Sequence, residues 1–350
     1  MLKQKWSRWF FVILTVILIS VSFIQLPYYV TKPGMAHDVE PMVEVEGGFD
    51  AEGTFMLTTV RLGKANVYSF LLAKVNKYQY LYQENEIRRT DETEEEYHLK
   101  QLQMMENSRE SAIEVAYKKA GKEINYQYKG VIVIDIYPGM PAEGKLELGD
   151  RIIAINQMKV KNTEQFISYV SSKKEGDSIR IQFIREGKQM EETLTVAPFP
   201  QQPNKVGIGI GLVDDKKVQT DPQIEINTEE IGGPSAGLMM TLEIYNQLTK
   251  KDITKGYKIA GTGTIDSEGN VGRIGGIEQK VVAAHEAGAD IFFAPNDPIS
   301  KEIKQQNHIV SNYEAALKTA RDIGTNMKIV PVTSFEEALA YLEKLPPKEK

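Results

Sequence analysis

The chain is 350 residues long, with 41% hydrophobic and 26% charged residues, an ordinary globular composition with room for two or three domains. A net charge of −6 gives no electrostatic support for a nucleic-acid partner, and the lack of cysteine excludes disulfides, thiolate nucleophiles and Cys-ligated zinc. His37, His98, His285 and His308 show no metal-ligand spacing, so neither a metal nor a cofactor is expected.

Trp9–Leu26, "WFFVILTVILISVSFIQL", is eighteen residues without a charge. Lys3, Lys5 and Arg8 precede it. A run of this length nearly spans a bilayer core as a helix, and basic residues before it hold the N-terminus in the cytoplasm. Residues 1–30 are therefore expected to be a single-pass anchor in the lipid bilayer, with the remainder outside the cytoplasm. A cleaved signal peptide is the competing reading, with Gly34-Met35-Ala36 as a late site; the length of the run favours the anchor.

Residues 31–83 form a β-rich segment, with "MVEVEGG" and "GTFMLTTVRLG" as short strands and "ANVYSFLLAKV" packing on them. Residues 84–125 are dense in charge. Thr93 and Glu96 make a capping box, Leu102, Met105, Ala112, Val115 and Ala116 recur at helical spacing, and Gly121 ends the pattern. This segment is expected to be a long helical strut between domains.

Residues 126–198 alternate apolar strands with glycine turns, with one helix from Asn162 or Thr163 and a hairpin at Arg185-Glu186-Gly187-Lys188. Tyr128-Lys129-Gly130-Val131, Pro138-Gly139-Met140-Pro141-Ala142 and Leu148-Gly149-Asp150-Arg151-Ile152-Ile153-Ala154-Ile155-Asn156 together resemble a PDZ domain. The resemblance implies capture of a partner's extended C-terminus as an added strand. Lys129, Gly130 and Val131 would hold its carboxylate, Val131 and Val133 would pair with its backbone, and Phe166 and Val170 would line its side-chain pocket. Simple core packing is the alternative for each apolar residue. Gly139 to Lys145 also satisfies G-x-x-x-x-G-K, but Leu146 follows where a phosphate loop needs Ser or Thr, so no nucleotide is expected.

Beyond the proline-rich Pro198–Asn204 stands "IGGPSAGLMM", residues 231–240. Leu238, Thr241, Leu242, Tyr245 and Leu248 fall at helical spacing, which puts Ser235 at a helix N-terminus, where free N–H groups favour negative charge. The small Gly233, Ala236 and Gly237 leave room for a substrate backbone. Serine needs a base. The literal G-x-S-x-G raises an α/β-hydrolase elbow with Asp297 and His308, but too little chain surrounds Ser235 for that fold. The other candidate is Lys280, on a helix made apolar by Val281, Ala284 and Ala287; burial there would lower its pKa. A serine helix cap and a surface lysine are the plain alternatives.

Gly233-Pro-Ser-Ala-Gly237, Thr262-Gly263 and Ile274-Gly275-Gly276-Ile277-Glu278-Gln279-Lys280 resemble the proteolytic domain of Lon peptidases, over roughly Gln201 to Leu345. The resemblance implies an α/β domain over 199–350 with Ser235 as nucleophile, Lys280 as general base, and Thr262, Gly233 and Ala236 in support. Gly232 stands where Lon commonly has Asp, and "IEINTEE" lacks the upstream histidine strand. With an anchor and a PDZ domain in place of the ATPase module, the chain is similar to bacterial membrane-anchored Lon-like peptidases. The fold class expected is α+β: a transmembrane helix, a PDZ domain and a Lon-type domain. The implied function is ATP-independent cleavage of protein or peptide substrates outside the cytoplasm of a bacterial cell membrane, by a homo-oligomer if the ring habit of the family holds. The rival is a non-catalytic PDZ scaffold.

Overall fold

The computed structural model describes residues 2–88, 92–200, 202–228, 231–297 and 310–349. Its larger body is a three-layer α/β/α unit around a six-stranded sheet. The strands are β1 (Gln25–Asp38), β3 (Thr54–Asn66), β4 (Tyr80–Gln83), β14 (Lys258–Gly261), β17 (Ile291–Pro295) and β18 (Lys328–Val332), in the order β18-β17-β14-β3-β1-β4. The first four in that order run parallel, and β1 and β4 continue the sheet antiparallel. Parallel strands covered on both faces need apolar residues at consecutive positions. "FML" in β3 and "IFFAP" in β17 supply them: Phe55, Leu57 and Phe293 face one core, Met56 and Phe292 the other. The first core is closed by α4 (Glu94–Ala120), α6 (Gly237–Leu248) and α9 (Phe335–Lys344), the second by α7 (Ile277–Glu286) and α8 (Asn312–Asp322).

This arrangement changes two expectations. The β-rich 31–83 segment is not a separate unit, because β3 pairs in parallel with β14 at Thr54↔Lys258 to Leu57↔Gly261. Nor is α4 a strut. Its capping box is formed, with Thr93 and Glu96 exchanging side chain-to-backbone hydrogen bonds of 3.2 and 2.7 Å, and Gly121 ends it in the left-handed region. One face of it, including Met105, Ala112, Ala116 and Tyr117, is buried against α6. Its charge is not confined to the exposed faces, since Glu110 and Glu114 are buried as well.

The smaller body is a β-sheet of order β12-β5-β6-β8-β9, built from β5 (Glu123–Ile136), β6 (Arg151–Ile155), β8 (Ser178–Arg185), β9 (Lys188–Thr195) and β12 (Ile210–Asp221), with β7 (Met158–Lys159) beside β6 and α5 (Thr163–Ser171) packed on it. It ends at 221 rather than 198, since β12 pairs with β5 from Ile210↔Ile136 to Asp221↔Glu123. The proline-rich stretch is no free linker: β10 (Ala197–Phe199) and β11 (Gln202–Gly207) form an antiparallel pair. The smaller body is thus an insertion in the larger one, entering after α4 and leaving before β13 (Ile224–Ile226), which pairs with β2 (Val43–Val45).

At the N-terminus α1 covers Leu2–Ser22, with α2 (Val67–Val75) nearby through a Tyr68 hydroxyl bond to the Leu18 carbonyl. Gln25 and Leu26 belong to β1, where Gln25 is paired with Asn66, so the expected span of Trp9–Leu26 is not one helix. Its helical part, Trp9 to Ser22, is fourteen residues, about 21 Å against a hydrocarbon core of about 30 Å. Among the described residues no helix is long and apolar enough to cross a membrane.

Candidate active site

Ser235 sits in a 3₁₀ turn, Pro234–Ala236, that runs directly into α6. Gly233 enters the turn at φ 88°, a conformation disfavoured for residues with a side chain. Gly237 is required by space: a Cβ there would lie 2.6 Å from both the Ser108 Oγ and an Ile265 methyl. The turn is pinned to the segment after β14, where the Gly263 N–H donates to the Ser235 carbonyl at 2.9 Å and the Thr262 hydroxyl donates to the same oxygen at 3.0 Å.

Lys280 reaches this turn from the first turns of α7. Gly276 caps α7 in the left-handed region, and a Cβ on it would come within 2.7 Å of Val60. Gln279 ties the helix to the sheet, donating to the Thr31 hydroxyl at 2.9 Å and the Tyr78 carbonyl at 3.1 Å. The Lys280 Nζ then lies 2.6 Å from the Ser235 Oγ and 2.9 Å from the Thr262 Oγ1. Lys280 is 3% exposed, and burial alone lowers its pKa to about 7. As a neutral amine it can accept the serine proton through its lone pair while an N–H donates to Thr262, whose own proton goes to the Ser235 carbonyl. The three side chains therefore form one consistent hydrogen-bonded circuit with the base uncharged.

The pair opens onto a cleft of about 930 Å³ whose walls include Val60, Leu62, Tyr97, Gln101, Met105 and Ile231. Most of these come from β3 and α4, which the sequence reading left outside the site; helical spacing of apolar residues in α4 was the available signal. The same helix accounts for Gly232. A Cβ at that position would lie 2.9 Å from the Gln101 Cβ, so α4 occupies the space that a side chain there would need. The Gly233 N–H donates to the Gln101 carbonyl at 2.8 Å and is thereby committed, whereas Ala236 is buried behind the turn. Of the alternative hydrolase set, Asp297 is bound by Arg273 at 2.5 Å and the Asn312 N–H at 2.8 Å, and His308 lies outside the described residues, as do Glu229 and Glu230.

In the smaller body the expected strand of the groove is corrected. Val131 and Val133 are fully buried, and β5 is flanked by β12 on one side and β6 on the other, leaving no free edge for a peptide. Gly130 serves close strand contact, since a Cβ on it would fall 2.2 Å from the Ile152 carbonyl oxygen, and Lys129 beside it is exposed. The edge strand beside β5 is β12. Phe166 and Val170 of α5 do line a groove, of about 380 Å³, and face Ile208, Ile210 and Leu212 across it. The glycine-rich "VGIGIGL" ends β11 and opens β12, so it belongs to the smaller body rather than to the domain expected over 199–350. The phosphate-loop-like lysine is likewise occupied, Lys145 donating to the Thr193 carbonyl at 2.8 Å.

A serine hydroxyl against a buried lysine, on a three-layer frame carrying an inserted β-domain, defines a Ser–Lys type of site. Comparison with known proteins agrees. Residues 221–337 match the Lon protease (S16) C-terminal proteolytic domain, and residues 101–196 match the PDZ domain. The chain is 27% identical over 153 residues to the Lon protease of Metamycoplasma arthritidis, covering 44% of this chain and 16% of that protein. It is 43% identical over 65 residues to the Lon protease of Desulforamulus reducens, covering 19% and 8%. A crystal structure of the PDZ domain of an SdrC-like protein from Listeria monocytogenes is 33% identical over 25% of this chain and 90% of that one, with a TM-score of 0.23. The chain spans less than a fifth of the length of the first curated Lon proteases it matches. It carries a PDZ domain together with a proteolytic domain of the Lon serine-peptidase type.

Proposed function

We propose that the chain is a serine endopeptidase, independent of ATP, anchored in a membrane and acting outside the cytoplasm. The observation that carries the catalytic part is the 2.6 Å approach of the Lys280 Nζ to the Ser235 Oγ in a pocket that holds the lysine pKa near 7. Lys280 takes the serine proton as Oγ attacks a peptide carbonyl in the cleft. Backbone N–H groups near Ser235, at the positive end of α6, steady the oxyanion. Lys280 returns the proton to the leaving amine, the C–N bond breaks, and a water activated by the same lysine hydrolyses the acyl-enzyme. Thr262 keeps the amine aimed at Ser235.

The groove between β12 and α5 supports capture of an extended substrate tail on the free edge of β12, which raises local substrate concentration at the cleft. Anchoring is supported by the exposed apolar run of α1, where Trp9, Phe10 and Phe11 are each more than 60% exposed. It predicts that the full chain stays with membranes through alkaline carbonate extraction. The ATP-free reading is supported by the placement of the only phosphate-loop-like sequence in a PDZ turn.

The test is degradation of a loosely folded protein without ATP by wild type, Ser235→Ala and Lys280→Ala. Loss of activity in both folded variants is expected. Equal turnover by wild type and Ser235→Ala would sink the proposal and leave a binding scaffold.

A further inference from the structure

Helix α4 touches the Ser235 turn with one part and the PDZ domain with another. On the turn side, the Gln101 carbonyl accepts from the Gly233 N–H at 2.8 Å, and the Ser108 hydroxyl donates to the Pro234 carbonyl at 2.9 Å. These are the two residues immediately before the nucleophile. Ser108 is 4% exposed and lies against Gly237, so it has little freedom to release that carbonyl. On the PDZ side, Glu114 accepts from Lys216 of β12 at 3.1 Å, and the Tyr117 hydroxyl donates to the Pro222 carbonyl, just beyond β12, at 2.7 Å. The Glu114 and Lys216 side chains are 9% and 13% exposed. Glu114 also accepts from the exposed Lys118 at 2.5 Å, so parting it from Lys216 would take the largely buried Lys216 away from its carboxylate, a cost that couples strand to helix together with the Tyr117 bond. The other end of β12 forms the groove wall with Ile210 and Leu212.

We propose that Gln101, Ser108, Glu114 and Tyr117 are positioning residues, and that α4 is the rigid link by which the groove strand β12 sets the geometry of the Ser235 turn. The proposal rests on the peptidase reading above. Ser108 and Tyr117 are nine residues apart on one helix, about 14 Å along a rod with a rise of 1.5 Å per residue. A small shift of β12 therefore reaches the turn as a shift of α4, which also carries Tyr97, Gln101 and Met105 of the cleft wall. Displacement of a nucleophile by about 1 Å costs on the order of a hundredfold in rate, so even a fraction of that movement is measurable.

The experiment uses the full chain in detergent micelles and a short fluorogenic peptide with an amidated C-terminus, which offers no tail to the groove. Tyr117→Phe removes one hydroxyl at the PDZ junction and is expected to lower kcat about three- to tenfold. KM should change less than kcat, because the cleft wall of α4 moves only with the helix, and the pH midpoint of activity should stay where it is in wild type, because Lys280 is not touched. Lys216→Met, on the PDZ side, should do the same, which covers the case of Tyr117→Phe failing to fold; thermal midpoints identify that case. Ser108→Ala should lower kcat further, and Tyr117→Phe in the Ser108→Ala background should add nothing. Full kcat in both junction variants, or effects that simply multiply in the double variant, would overturn the link. Wild type no faster than Ser235→Ala would instead sink the peptidase reading beneath it.

Discussion

Lys280 is shifted by burial alone, with no other contribution to its lowered pKa. Two consequences have opposite signs for activity and stability. As a base it must be neutral, so kcat/KM for a short peptide should rise tenfold per pH unit below about 7 and level off above it. For stability, the unfolded chain holds the lysine proton up to about pH 10.5 while the folded chain has lost it above about 7, so the buried lysine destabilises the fold at neutral pH. Lys280→Met should therefore abolish hydrolysis and yet raise the unfolding free energy at pH 7, by about 4 kcal/mol at most. Chemical denaturation at pH 7 and pH 10 checks this, because the gain should shrink at the higher pH. A variant that loses stability at pH 7 would show that Lys280 is charged in the fold. Thr262, fully buried, binds both the Lys280 Nζ and the Ser235 carbonyl. Thr262→Val keeps the shape and removes both bonds, and should lower kcat about tenfold or more. Unchanged kcat would remove threonine from the orienting role.

Helix α6 carries the nucleophile turn at one end and a buried acid further along. Glu243 is 2% exposed, accepts from Gln247 at 2.7 Å, and is pushed up to about 7 by burial. The folded chain thus keeps a proton that the unfolded chain has released above about pH 4.5, so this group's contribution to stability falls as pH rises from about 4.5 to 7 and stays low above that. Glu243→Gln should flatten that decline and stabilise the protein at pH 8, with equilibrium unfolding at pH 5 and pH 8 as the readout; an unchanged pH dependence would contradict it. Elements differ in how much of this was legible in sequence. The α4 cap was written in Thr93, Glu96 and Gly121, because caps are local. Its buried face was obscured by the charge around it, and its partner α6 lies more than a hundred residues away. The strands β3 and β12 were legible as strands but not in their pairing. Alternation fixes a strand's faces, whereas Thr54↔Lys258 and Asp214↔Val131 are contacts set by the assembled sheet. Ser235 and Lys280 could be picked out by type and neighbourhood, while the cleft wall from β3 and α4 followed from that unseen pairing.

In the whole molecule the PDZ domain enters and leaves through adjacent points of the chain, since Glu123 and Asp221 are register partners at the end of the β5–β12 pair. Antiparallel partners stand about 5 Å apart, a gap that a short turn can bridge. The proteolytic core does not draw its sheet from the insert: all six of its strands lie outside residues 123–221. Replacing that segment by a Gly-Ser turn should therefore leave a cooperatively unfolding proteolytic domain that still cleaves short amidated peptides, at a rate altered by the loss of the β12–α4 contacts. What should vanish is discrimination. If the groove tethers substrate, the ratio of kcat/KM for a substrate with a free apolar C-terminal tail over the same substrate amidated is above one in the full chain and falls to one without the insert. Taking that ratio, rather than either rate, separates tethering from the mechanical effect of α4, because a change in nucleophile geometry scales both substrates alike. A ratio of one already in the full chain would assign the groove to a partner rather than to substrate.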